Sequence, residues 1–211
     1  MPTITLKRPR LQRPTLWISP DSAGVRMRPS EFDRAEFVEG WRYELINGVL
    51  VVSPIPLEAE RDPNEEIGHW LRHYQETHPE GSILDKTLAE HTVVTGENRR
   101  RVDRILWIGL GRLPTLQDVA SILVEFVSKG KRSWHRDYVD KRDEYLALGV
   151  KEYWVIDRFE RTLTVYTKQG KRIKKRIVAE AETYTTPLLP GFQLPLARLL
   201  ALADGWQESG S

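Results

Sequence analysis

The apolar positions of this chain alternate between a spacing of two and a spacing of three to four, and each switch marks an element. After Ser30, the residues Phe32, Phe37 and Val38 with a stop at Gly40 predict a short capped helix. Tyr43 to Ile46 and Val49 to Val52 flank Asn47-Gly48, the dipeptide best able to supply two positive-φ positions, and so predict a hairpin with a type I′ turn. Ile67, Trp70, Leu71 and Tyr74 have helical spacing, with Asp62, Pro63 and Glu65 as its start signal and Pro79 beyond its end. Strands follow over 82–87 with 90–95, over 101–108 and over 121–127. Trp134 to Leu148 predicts a second helix closing at Gly149, and Glu152 to Ile156 another strand. Leu163 to Tyr166 pairs with it as a hairpin that Lys171 to Val178 extends, and a proline-broken tail ends in a short helix through Leu199, Leu200 and Leu202.

One residue breaks the apolar pattern where it is strongest. Glu125 lies inside Ile122, Leu123, Val124, Phe126 and Val127, a β-branched run that reads as a strand buried on both faces. An ionised acid there is unfavourable unless a cation or several donors meet it. Asp103 sits in the preceding strand candidate, among Val102, Ile105, Leu106 and Trp107, so two acids on neighbouring strands can converge. Two carboxylates with a backbone carbonyl and waters are what Mg²⁺ prefers, Mn²⁺ being an alternative. Taken alone, Asp103 reads equally well as an acid paired with Arg101 or Arg104. Asp137, Lys141 and Tyr145 share one face of the following helix, which is either a surface ion pair or a lysine aimed at the acids.

Composition narrows the classes. The 211 residues carry a net charge of +2, too little for a bulk polycation, and no cysteine, which removes disulfides, iron–sulfur clusters and thiol chemistry. No apolar run approaches the ~20 residues of a membrane span, and no secretion signal opens the chain, so a soluble cytoplasmic protein is expected. Walker A, dinucleotide and Gly-x-Ser-x-Gly patterns are missing, leaving no organic cofactor to expect. Residues 1–28, with Pro2, Pro9, Pro14 and Pro20 among six basic residues, read as a flexible basic arm, and 29–211 as a single domain. His69 and His73 have metal spacing on a helix, but Trp70 stands between them and no third ligand is evident.

These segments together resemble the PD-(D/E)XK nuclease superfamily and, within it, the Uma-two family, whose members are classed as restriction endonucleases. The resemblance runs through Tyr43-Glu44-Leu45-Ile46-Asn47-Gly48, Ser53-Pro54, the Asp103 strand, Leu123 to Ser128, Asp137 to Tyr145, Gly149 to Asp157 and Leu189 to Phe192. It implies an α/β fold of the α+β type, a central mixed β-sheet flanked by helices. It also implies a Mg²⁺-dependent DNA endonuclease in which Asp103 and Glu125 hold the metal. Val102 replaces the proline before the motif aspartate, and Val127 replaces the lysine two residues after Glu125. Families of this kind move that lysine to the next helix, where Lys141 matches, with Lys129 and Lys131 as substitutes. A first-helix acid completes such sites, and Glu65 and Glu66 are the candidates.

Basic residues flank both acids: Arg100 and Arg101 beside Asp103, then Lys129, Lys131, Arg132 and Arg136 after Glu125. A DNA backbone between them would gain affinity without sequence reading. The run Lys171 to Arg176 reads instead as a charged edge strand that discourages aggregation, and Trp134 as a helix-packing residue. Two-strand cleavage would require a homodimer or successive nicks. The alternative, supported by Val127, is a catalytically inactive nucleic-acid-binding or regulatory module on the same fold.

Overall fold

A computed structural model describes residues 16–206. The described residues begin with β1 (Trp17–Ile18), α1 (Pro29–Phe32) and β2 (Glu36–Phe37), then the hairpin of β3 (Trp41–Ile46) and β4 (Val49–Pro54). Helix α2 (Glu58–Thr77) leads to two long strands, β5 (Leu84–Thr95) and β6 (Asn98–Ile108), followed by β7 (Ile122–Phe126). A second helical run consists of α3 (Lys131–His135), one π turn (Arg136–Asp140) and α4 (Lys141–Leu148). Strands β8 (Glu152–Asp157), β9 (Thr162–Gln169) and β10 (Arg172–Ala179) complete the main sheet, and β11 (Thr183–Tyr184), β12 (Leu194–Pro195) and α5 (Leu196–Asp204) form the tail.

Eight strands form one mixed sheet in the order β10-β9-β8-β7-β6-β3-β4, with β5 on the other edge of β6. Within this sheet only β7 and β8 run parallel; its other pairs are antiparallel. One edge of β6 therefore serves two neighbours: Arg99 pairs with Leu45 of β3, whereas Arg104 to Leu106 pair with β7. Asp103 lies at this fork.

The period of two in the strands sorts side chains to two layers. Ile122, Val124 and Phe126 join Ile67 and Leu71 of α2 and Leu196, Leu199 and Leu200 of α5. Leu123 and Val127 join Val102, Ile105, Trp107, Tyr138, Tyr145 and Leu146 on the opposite face, under the second helical run. Glu125 belongs by alternation to that second layer and faces α4, where Lys141 meets it. Along β6 the alternation is interrupted, because Val102 and Ile105, three residues apart, both join this layer, and Asp103 lies between them. No helix among the described residues is long and apolar enough to cross a membrane.

The predicted hairpin is present, with Asn47 at φ 52° and Gly48 at φ 73° as a type I′ turn requires. Several boundaries differ from expectation. The helix after Ser30 is a single turn, because Glu36–Phe37 leaves it to pair with β1. Helix α2 begins at Glu58, so Pro63 is inside it and costs only the bond to the carbonyl of Ala59. The two short strands expected over 82–95 are one strand kinked at Glu90, where φ is 52°. Of the basic arm, residues 1–15 lie outside the described residues, but 16–28 are docked rather than loose. Ile18 is buried with Phe32, Tyr43, Leu45 and Leu50, and Arg26 bridges Val49.

Candidate active site

The register of β6 on β7 pairs Arg104 with Val124 and Ile105 with Leu123, so Asp103 falls opposite Glu125 where the ladder ends. On the other side, Ala89 pairs with Arg104 and His91 with Val102, which sets Glu90 opposite Asp103. Glu90, Asp103 and Glu125 thus form one row across three strands. Like charges directly opposite one another repel, and the chain answers with cations. Lys141 Nζ lies 2.8 Å from Glu125 Oε1, 3.8 Å from Asp137 Oδ1, and donates to the Arg101 carbonyl at 2.9 Å. Arg42 from β3 places a guanidinium nitrogen 2.6 Å from Asp103 Oδ1 and 3.2 Å from Glu90 Oε2. The second oxygen of Asp103 accepts from the Phe126 N–H at 2.7 Å.

All three principal groups are out of solvent: Asp103 is 4 % exposed, Glu125 1 % and Lys141 2 %. Burial pushes the Asp103 carboxyl up, but Arg42, Lys141 and the Phe126 N–H outweigh it and hold it below its ordinary value. Burial pushes Glu125 well up, opposed by Lys141 and reinforced by Asp103 and Asp137. For Lys141 burial acts downward, but Glu125, Glu44 and Asp137 outweigh it, so the ammonium is retained. The Tyr145 hydroxyl donates to Glu125 Oε1 at 3.2 Å, its phenol pushed well up by burial and by Glu125.

The helix delivers these groups through its phase. Asp137, Lys141 and Tyr145 share a face as the sequence predicts, and all are buried. The π turn at Arg136–Asp140 was not predicted; its extra residue also buries Tyr138, which donates to Asp157 at 3.1 Å.

The first-helix acids do not reach the row. Glu65 is exposed, and Glu66 pairs with Arg198 of α5 at 2.7 Å. With the helix starting at Glu58, the inward face runs Glu60, Asn64, Ile67, Gly68 and Leu71, so Glu60 is the buried helix acid. Burial raises its carboxyl, a hydrogen bond from Ser128 opposes this, and Asp103 reinforces it. Asn64 donates to the Asp103 carbonyl at 2.9 Å and accepts from Arg104 Nε at 2.7 Å. Glu44, from the hairpin motif, accepts from the Arg101 N–H at 2.9 Å. Sequence reasoning missed Glu60 by starting the helix too late, and Arg42 and Glu90 because only the sheet order brings them to Asp103.

The basic residues divide. Arg100 is a correction: it is buried and gives both ends of its guanidinium to Glu144. Arg136 is half-buried against Asp137 at 2.8 Å. Arg101 is partly exposed, 3.5 Å from Glu90. Lys129, Lys131 and Arg132 are exposed at the start of the second helical run. Lys129 and Lys131 line a cavity of about 400 Å³ with Trp134 and Phe159. Trp134 stacks on Tyr138 with centroids 4.8 Å apart. His69 and His73 remain a surface pair with ring centroids 6.4 Å apart.

Residues 29–197 match the model of the Uma2 family, described as putative restriction endonucleases. The chain belongs to the Uma2 family. No curated protein matches it. Among solved structures, it is similar to a protein from Anabaena variabilis described as a putative nuclease belonging to DUF820. That likeness has a TM-score of 0.66 at 15 % identity and covers 84 % of this chain and 99 % of the other. At that identity the likeness concerns the fold. This Uma2 chain therefore combines a nuclease-like mixed sheet with a buried carboxylate pair at the fork of β6.

Proposed function

We propose that this Uma2 protein is a Mg²⁺-dependent DNA endonuclease that hydrolyses phosphodiester bonds, with Asp103 and Glu125 as the metal ligands. The observation that carries the reading is the pairing of two buried acids across neighbouring strands, with Lys141 Nζ 2.8 Å from one of them. The donors fit a hard divalent ion, being carboxylate oxygens held by a rigid sheet, and Mn²⁺ would suit the same set. Such an ion supplies Lewis-acid stabilisation of the phosphoryl oxygens. Lys141, retained as a cation, positions or polarises the attacking water in the role that Val127 cannot fill. Water adds to phosphorus as the P–O bond on its far side breaks, a proton of that water ending on the departing oxygen so that a phosphomonoester and an alcohol result, and exposed Lys129, Lys131 and Arg132 hold the flanking backbone.

Nicking of supercoiled plasmid with Mg²⁺ or Mn²⁺ tests this. Glu125→Gln keeps acceptors for Lys141 and Tyr145 but removes the charge, so it should retain the fold and lose metal-dependent nicking. Cleavage that survives in that variant sinks the assignment. Salt-sensitive DNA binding by wild-type protein without any nicking would favour the catalytically inactive module.

A further inference from the structure

Arg42 occupies the place in the acid row where a cation is most needed, and its surroundings are incomplete. One guanidinium nitrogen serves both Asp103 and Glu90, while its buried Nε has no hydrogen-bond partner. Since Phe126 N–H takes the other oxygen of Asp103, both oxygens of that carboxylate are engaged by the chain itself. Among the described residues, no three His, Cys, Asp or Glu side chains converge into a ready metal cage. Arg42 and Lys141 stand among the acids.

Arg42 also borders open space. It lines a cavity of about 460 Å³ together with Arg61, Arg101, Trp41, Tyr43, Glu90 and Thr92. Two further guanidinium groups and the exposed Trp41 face the same cavity, against the carboxylates of Glu39 and Glu90, so cations outnumber acids by three to two beside an aromatic ring that can stack on a base. Glu90 holds a left-handed φ of 52° opposite Asp103, and its carboxyl is raised, chiefly by burial, with Arg42 opposing and Asp103 reinforcing.

We propose that Arg42 alternates between two anions: Asp103 in the resting protein, and a DNA phosphate in the adjoining cavity once a divalent ion has taken Asp103. The cavity beside Arg42 is then the phosphodiester-binding cleft. This rests on the nuclease reading above and extends it. Replacing Arg42 therefore acts in opposite directions on the two ligands, and release of its guanidinium on metal binding separates alternation from the loss of a fixed charge.

Arg42→Met keeps the aliphatic stem and frees Asp103. By calorimetry it should bind Mn²⁺ about tenfold more tightly than wild type, and Asp103→Asn added to it should cancel the gain. With Ca²⁺ in place of Mg²⁺, the same variant should bind a fluorescent DNA duplex about tenfold more weakly. In wild-type protein, Mg²⁺ titration should shift the Arg42 Nε–Hε resonance and free its guanidinium rotation, a readout independent of any variant's folding. Equal or weaker Mn²⁺ binding by Arg42→Met, unchanged duplex affinity, or an Arg42 resonance unmoved at saturating Mg²⁺ overturns the alternation while leaving the metal site intact. Failure of both wild type and Arg42→Met to bind a divalent ion overturns the nuclease reading itself, and this inference with it.

Discussion

Replacing Lys141 by Met tests how tightly the site is written into the stability of the fold. Methionine keeps most of the buried stem and deletes the ammonium. What is lost is the 2.8 Å contact to Glu125, the 3.8 Å contact to Asp137 and the hydrogen bond to the Arg101 carbonyl. At an effective dielectric of about 20 the 2.8 Å pair alone attracts by roughly 6 kcal/mol, which the desolvation of two buried ions largely offsets. Net, the intact pair contributes little. Breaking it on one side costs about 3–5 kcal/mol, because the other charge is stranded. The low end is expected here, about 3 kcal/mol, since Tyr145 still donates to Glu125 and that carboxyl, already raised, takes up a proton readily. Glu125→Gln in the Lys141→Met background removes the stranded acid, so the double variant should recover about 2 kcal/mol through coupling between the two sites. Urea denaturation at constant slope measures all four corners of the cycle. A single-variant cost below about 1 kcal/mol, or strict additivity, would refute the claim that Lys141 neutralises Glu125.

Gly68→Ala should reverse the usual helix preference, which favours alanine by about 1 kcal/mol. An added Cβ would lie 2.6 Å from the Arg104 guanidinium, which donates to Asn64 at two points, so a net loss of about 2 kcal/mol is expected in the same denaturation assay. A gain in stability would show that Arg104 can move freely. His91 packs edge-on against Trp107, and burial, with Arg101, lowers its imidazole from the ordinary 6.5. The unfolded chain therefore binds the extra proton first, so this contribution is full above about pH 6.5 and is lost as pH falls through the folded value. The stability difference between wild type and His91→Gln should shrink accordingly on acidification from about pH 7.5 to pH 5; a constant difference would contradict it.

Local signals carried the hairpin, the strand acids and the helix phase. Asn47-Gly48 can be read alone because the turn type depends on two adjacent backbone conformations. Asp137, Lys141 and Tyr145 can be placed on one face because helical spacing is also local. Glu58 as a helix start was hidden by the stronger signal at Asp62 and Pro63, and with it the inward position of Glu60. Exposure of the basic residues was less legible. Arg100 and Arg101 are neighbours in sequence, yet strand alternation sends one to Glu144 and leaves the other at the cavity with Glu90.

The parts that could not be read are those that depend on strand order. Asp103 acquires Arg42 because β6 exchanges β7 for β3 along the same edge, and that fork places a residue from an early hairpin against a later strand. It acquires Glu90 because register and the positive φ in β5 set that acid directly opposite. Neither contact leaves a trace in spacing along the chain. The same fork leaves Asp103 without a ladder partner on that edge, where Arg42 and the Phe126 N–H take its two oxygens, whereas Glu125 pairs with Val155 of β8 and holds Lys141 of α4. The divalent ion proposed above would therefore have to displace Arg42 from Asp103, and Lys141 governs the charge on Glu125.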